Sequence, residues 1–317
     1  MNMIKHDVSN NLDNHGDELN LKELFEVLWR GKGLIASTTI FFSIIAVFYS
    51  LSLPNIYQSS ALLTPTENSG MSQSLQGVGG LASLAGIDLS ENKGGKLDKA
   101  IETISTFGFY QKNILPNIFL PNLMAVESWD LENNKIIYDE NIYDDVSKKW
   151  VRSYKYPKTL IPSAQESFLI FKEAYSLQIH PDTGFVRINI KHQSPFIAKK
   201  WIELIVSKLN SEFRNNDKLE AQTSMRFLNQ QISETQYTEI RQVIAALIEQ
   251  KMQQLTLIEA NPNYVFAYID PPIVMEMKFE PVRSKISILG ALLGGLISII
   301  FVLIRNYFNS KNTNLSR

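Results

Sequence analysis

Two uncharged apolar runs bracket an otherwise water-compatible chain, and they limit its architecture more than any other feature. The first covers Leu34 to Leu53 (LIASTTIFFSIIAVFYSLSL) and the second Ile286 to Ile304 (ISILGALLGGLISIIFVLI). At ~1.5 Å rise per residue, about 20 residues of helix cross a hydrocarbon layer roughly 30 Å thick. Lipid offers no hydrogen-bond partner to the backbone, so a crossing segment satisfies its own peptide groups, as a helix does. A core helix of a soluble protein would tolerate polar residues on one face. Neither run carries a charged residue on any face, and both are read as transmembrane helices.

Two spans leave one central segment on one side of the membrane and both termini on the other. Lys22, Arg30 and Lys32 precede the first span, and no Lys or Arg follows it until Lys93. That asymmetry places both termini in the cytoplasm and the central segment in the periplasm. The second span is flanked by Arg283 and Lys285 before it and Arg305 and Lys311 after it, so the first span sets the orientation. The expected organisation is a cytoplasmic tail and amphipathic helix (1–33), a first span (34–53), a periplasmic domain (54–285), a second span (286–304) and a cytoplasmic tail (305–317). The first run is too long and starts too far into the chain to be a cleaved signal peptide.

Composition narrows the chemistry. A net charge of -1 gives no reason to expect nucleic-acid binding. The absence of cysteine excludes a disulfide framework and thiolate metal sites. The four histidines (His6, His15, His180, His192) are too scattered for a metal site. No cofactor and no catalytic constellation is expected.

Residues 1–18, rich in Asn, Asp and His, read as a disordered tail. Leu21, Leu24, Phe25 and Leu28 then recur at helical spacing on a short helix ending at Trp29, with Asn20 and Glu23 placed as a capping pair. This helix either docks a partner or lies on the inner leaflet with Trp29 at the interface. Residues 56–63 (IYQSSALL) read as a strand. The glycine-rich stretch Gly77 to Gly86 lacks the Lys-Ser/Thr pair or acidic partner that a phosphate-binding loop needs, so it reads as a flexible or closely packed loop. Leu97, Ile101 and Ile104 mark a helix, and residues 117–157 an irregular excursion dense in Trp, Tyr and Asp.

Ser163 and Glu166 form a capping box that opens a helix through about Lys172. Tyr175, Leu177 and Ile179, and then Val186, Ile188 and Ile190, alternate with polar residues around the turn Pro181-Asp-Thr-Gly184, which is the pattern of a β-hairpin with one buried face. Ser194 as N-cap and Pro195 at the first helical position open a segment without Pro or Gly up to about Ala260. Apolar residues recur along it at intervals of three or four. A continuous helix there would extend about 97 Å and would need neighbouring elements or copies to bury its stripe. A break near Asn215-Asn216 would instead make two helices. Tyr264 to Asp270 (YVFAYID) reads as a strand, and Pro271, Pro272 and Pro281 should hold the approach to the second span stiff and extended. Inside that span Gly290, Gly294 and Gly295 give a Gly-xxx-Gly spacing that lets helices approach closely, either among copies or against a partner.

Taken together, Leu28-Trp-Arg-Gly-Lys32 before the first span, Tyr57-Gln58 and Ala61-Leu-Leu63 after it, Gly79-Gly-Leu-Ala-Ser-Leu-Ala-Gly86, the long helix, Ala267-Tyr-Ile-Asp-Pro271 and the proline-rich approach to a Gly-xxx-Gly span resemble the polysaccharide co-polymerases. The resemblance is to the chain length determinant (Wzz) proteins of lipopolysaccharide O-antigen synthesis. Pro272, Pro281, Ser284, Lys285, Gly290 and Gly294 match the family's second-span motif. Met275-Glu-Met-Lys278 stands where a further proline is usual, and Val282-Arg-Ser-Lys285 lacks the family's Ser-Pro-Lys form.

The resemblance implies an α+β membrane protein with two transmembrane helices flanking a periplasmic α+β domain that carries a long helical extension. It implies a non-enzymatic inner-membrane regulator of O-antigen chain length, assembled as a ring-like homo-oligomer. The O-antigen polymerase, the membrane lipid and the polysaccharide chain itself are its implied partners. An adaptor for capsule or exopolysaccharide export is the alternative. A tyrosine autokinase relative would need a cytoplasmic P-loop domain, and 13 residues follow Ile304. A transmembrane receptor would need a cytoplasmic signalling module, which neither tail is long enough to hold.

Overall fold

The computed structural model describes residues 21–66 and 93–315, and it resolves into two units, one of residues 1–53 with 282–317 and one of 54–281. The expected tail over 1–18, the capping role of Asn20 and the loop Gly77–Gly86 lie outside the described residues.

In the first unit, α1 (Leu21–Arg30) is followed after Gly31 by α2 (Lys32–Ser52), which contains the first apolar run. The second run lies in α7 (Arg283–Leu315). α2 and α7 pack antiparallel. Their large apolar residues point outward: Ile40, Phe41, Ile44, Phe48, Leu289, Leu292, Leu296 and Phe301 are all exposed, while Ser50, Ser298 and Val302 are buried. A soluble protein would bury the large residues and show the small polar ones. The inverted arrangement suits helices solvated by lipid.

The second unit is built on a four-stranded antiparallel sheet of order β6-β7-β1-β8, with β1 Tyr57–Pro65, β6 Tyr175–Ile179, β7 Val186–His192 and β8 Phe266–Asp270. Alternation decides its faces. Ala61 stands opposite Ile188 and Leu63 opposite Val186, and Leu177 is across from Ile188 on the other side. These residues share one face, which α5 (Pro195–Glu234) covers with Ile202, Ile205 and Leu209, all fully buried. Each such side chain stabilises the fold by roughly 1.5–3 kcal/mol relative to exposure. α3 (Lys93–Ile104) and α4 (Ala164–Ala174) add Ile104 and Phe171 to the same core. The β6–β7 hairpin forms as expected, with Gly184 at φ +68° where an L side chain would be strained. One half of the capping box forms: the Glu166 amide donates to Ser163 Oγ at 3.2 Å, while the Glu166 carboxylate accepts from Arg152.

The excursion expected to be irregular contains two small hairpins, β2 (Val126–Asp130) with β3 (Lys135–Tyr138) and β4 (Tyr143–Asp144) with β5 (Lys149–Trp150). Their turns are closed by Asp side chains. Asp130 accepts from the Glu132 and Asn133 amides, and Asp144 from those of Val146 and Ser147.

A single helix over 195–260 is not what the chain forms. α5 ends at Glu234, and α6 (Thr238–Ala260) runs back along it. Asn215 and Asn216, the other expected break, lie within α5. Thr235 (φ -85°, ψ 128°) and Tyr237 (φ -83°, ψ 121°) are extended and make the reversal without Gly or Pro. Burial favours it. A straight helix would leave the stripe of 238–260 in water, whereas the turn buries Ile244 and Ile258 and delivers the chain to β8. Lys218 and Glu259 pair across the two helices. Ser194 is at the N-cap of α5, but its side chain makes no capping bond. Its amide donates instead to His192 Nδ1 at 2.8 Å.

Candidate functional site

The glycines of the second span meet the first span of the same chain. A Cβ added at Gly290 would lie 2.3 Å from Ala46 Cβ, and one at Gly294 would lie 2.7 Å from Phe42 Cβ and 3.3 Å from Thr39 Cα. Gly295 faces Thr39 Oγ1 more loosely, at 3.7 Å. At the other end of the pair, Gly31 packs on Val302, with the added Cβ 2.7 Å from Cγ1. The Gly-xxx-Gly spacing thus joins α2 to α7 within one chain, a use the sequence reading did not foresee. Hydroxyls in α2 satisfy themselves along the helix: Thr39 donates to Ile35 O and Ser43 to Thr39 O, both at 2.8 Å.

Within the strand domain, the chain segments that lead to the two crossings pair with each other. Ile56 pairs with Glu280: its amide donates to Glu280 O at 2.8 Å, and its carbonyl accepts from Phe279 and Glu280 at 2.8 and 3.1 Å. Lys191 on β7 donates to Glu280 Oε1 at 2.6 Å and sits 5.0 Å from the centre of the Phe279 ring. Of the proline-rich approach, Pro272 is buried and Pro281 half-buried, while Pro271 is exposed. Ser284 and Lys285 are exposed in the first turn of α7. Residues 271–281 form no regular element beyond the Ile56–Glu280 bridge.

Two buried polar side chains, Asn210 and His192, and the half-buried Asp217, none singled out by the sequence, hold the strand domain together. Asn210 on α5 accepts from the Val265 and Phe266 amides through Oδ1, at 2.8 and 2.9 Å, and donates to Phe266 O at 2.9 Å. Asp217, about two turns beyond, accepts from Tyr264 Oη at 2.5 Å and Lys96 Nζ at 2.8 Å, joining α3, α5 and the approach to β8. His192 accepts from the Ser194 amide through Nδ1, so its Nε2 carries the proton and donates to Asn122 O at 2.7 Å. Its ring packs edge-on against Trp201.

Burial pushes the His192 imidazole below its ordinary pKa, outweighing its two backbone hydrogen bonds. The unfolded chain therefore takes up the proton first. Stability from this group is complete above about pH 6.5 and falls at lower pH, by up to about 1.4 kcal/mol per pH unit. We expect the melting temperature in detergent to drop between pH 7.5 and 5.5, and the His192→Phe variant, though less stable throughout, to lose most of that slope. An unchanged slope in the variant would show that His192 does not carry it.

On the excursion, Arg152 reaches both carboxylate oxygens of Glu166, at 2.5 and 2.8 Å, and donates to the Leu160 and Thr159 carbonyls. The guanidinium holds the Glu166 carboxyl below the usual carboxylate range. Phe119, Tyr138, Tyr143 and Trp150 form an edge-to-face aromatic cluster of their own. Burial, with Asp145 nearby, pushes the Tyr138 hydroxyl up to about 12, so it stays protonated and donates to Asn122 Oδ1 at 2.6 Å. Among the described residues, no group of three or more His, Cys, Asp or Glu is placed to hold a metal ion. The described residues also give a tightly paired set of spans, a pairing of Ile56 with Glu280 within the strand domain, and a helical hairpin with exposed Leu219, Phe227, Ile240, Val243 and Met252.

Comparison with known proteins bears on the first third of the chain. No curated protein sequence matches. Among solved structures, a full-length bacterial polysaccharide co-polymerase is similar at 16% identity and a TM-score of 0.40, over 92% of this chain and 98% of its own. A fragment of WzzB, a polysaccharide co-polymerase from Salmonella Typhimurium, gives 10% identity and 0.32, over 71% of this chain and 100% of its own. A mutant of the Shigella flexneri lipopolysaccharide O-antigen chain-length regulator gives 11% and 0.25, over 70% and 99%. The model of the chain length determinant protein family, Wzz, matches residues 17–106. The matched segment contains α1, the first span, β1 and α3.

Proposed function

We propose that this chain is a non-enzymatic regulator of O-antigen chain length, working in the inner membrane as an oligomeric co-polymerase beside the O-antigen polymerase. The match of residues 17–106 to the chain length determinant family carries this reading. Two candidate membrane spans and a long helical hairpin are compatible with it. Both termini face the cytoplasm and the strand domain the periplasm, a placement supported by Lys22, Arg30 and Lys32 before the first span. The exposed apolar residues of α5 and α6 supply a face on which further copies pack into a ring.

The test is the lipopolysaccharide ladder on a gel, compared between a strain lacking the gene and the complemented strain. The expected result is a short, unregulated distribution in the deletion and a restored cluster of lengths on complementation. Unchanged lengths with loss of surface polysaccharide would replace this reading with export.

A further inference from the structure

The segment between β8 and the second span leaves large apolar side chains in the open: Ile273 is 59% exposed, Met277 81% and Phe279 46%. Two tethers fix where it can be. Phe279 stands four residues before Arg283, the first residue of α7, and a chain covers at most about 3.5 Å per residue. Ile56 stands four residues after Ser52, the last residue of α2, and it is hydrogen-bonded to Phe279 and Glu280. Phe279 is thus held within about 14 Å of chain from both membrane crossings, Met277 within about 21 Å of the second and Ile273 within about 35 Å of it. Charged groups of both signs accompany the apolar ones: Glu276 is exposed, and Lys191 is paired with Glu280. Lys278 lies between Met277 and Phe279 with its amine 3.3 Å from Asn55 Oδ1, and Lys191 lies over the Phe279 ring.

An apolar residue exposed far from lipid is ordinary, but three of them around Lys278, in a segment tied to two span ends, make an interfacial set. We propose that Ile273, Met277 and Phe279 dip into the lipid leaflet on the strand-domain side, with Lys278 at the level of the phosphates. The strand domain would then rest on the membrane through this lip in addition to its two covalent connections. A phospholipid surface is favoured over a protein partner because the patch is joined in sequence, by a few residues, to a helix that crosses lipid.

The chain has no cysteine, so a single Met277→Cys substitution at this exposed position carries the only label. The full-length protein is placed in phospholipid nanodiscs with an environment-sensitive fluorophore on that thiol. Leu289→Cys in the second span and Val146→Cys, 95% exposed on the excursion, serve as references. The expected result is quenching by lipids brominated near the head-group end of their acyl chains, comparable to Leu289→Cys. Quenching by aqueous iodide should be roughly threefold weaker than at Val146→Cys. Iodide quenching equal to that at Val146→Cys, without quenching by brominated lipid, would place the segment in water and overturn the proposal. Protection from both quenchers would also overturn it, because protein rather than lipid would cover the patch. Failure of the Leu289→Cys reference would reject the second span itself.

Discussion

Asn210→Leu is expected to destabilise the strand domain by about 3–5 kcal/mol, because it strands three buried backbone groups at once. β8 is an edge strand, and the Asn210 amide stands at its start where a neighbouring strand would otherwise pair. Leucine fills a similar volume but offers the Val265 and Phe266 amides no acceptor and the Phe266 carbonyl no donor. Asn229→Leu, an exposed position on the same helix, is the control and should cost less than about 0.5 kcal/mol. Denaturant unfolding of the purified protein in detergent measures both. Equal, small losses at the two positions would show that water replaces the Asn210 contacts and that β8 is held by other means.

Gly290→Leu is expected to part the two spans. Its Cβ would begin 2.3 Å from Ala46 Cβ, against an optimal carbon–carbon separation of about 3.5–4.0 Å, so the helices must shift by more than an ångström at that level. Helix backbones cannot absorb this locally, since the Phe42 carbonyl lies just behind at 3.5 Å. Thr39→Cys with Gly295→Cys reports the change as a disulfide formed in membranes, because a Cβ at Gly295 lies 3.7 Å from Thr39 Oγ1. Oxidation should cross-link this pair efficiently in the parent chain and about tenfold less in the Gly290→Leu background. Gly33→Leu, with nothing within 4 Å of an added Cβ, should leave the cross-link unchanged. Efficient cross-linking despite Gly290→Leu would mean that the glycines serve contacts outside the chain.

The Arg152–Glu166 pair invites a different view of the excursion. Its guanidinium binds the Glu166 carboxylate in the first turn of α4 and two loop carbonyls, so the stretch around 152–166 is held by charge and hydrogen bonds. Loops held this way can be dense in exposed aromatics, such as Tyr154 and Tyr156, without losing their shape.

What the sequence determined by itself was what depends on neighbours along the chain. Spans of about 20 uncharged residues follow from the thickness of a bilayer. The β6–β7 hairpin follows from period-two alternation around Pro181–Gly184, and the start of α4 from the Ser163–Glu166 cap, because each is settled within a few residues. The family resemblance was likewise carried by short motifs at the ends of the chain. The tertiary structure decided whatever depends on distant partners. The stripe from Phe196 to Ala260 is equally consistent with a rod or a hairpin. Only the burial of Ile244 and Ile258 against the rest of the fold selects the turn at Thr235–Tyr237. The small residues at Gly290 and Gly294 announce a close approach, yet the approaching surface, Ala46 and Phe42, is more than 240 residues away in sequence. Asn210 and His192 look like ordinary polar residues until the peptide groups of 265–266, 194 and 122 arrive beside them. Periodicity encodes which face an element hides, and the identity of what lies against that face is set when the chain closes on itself.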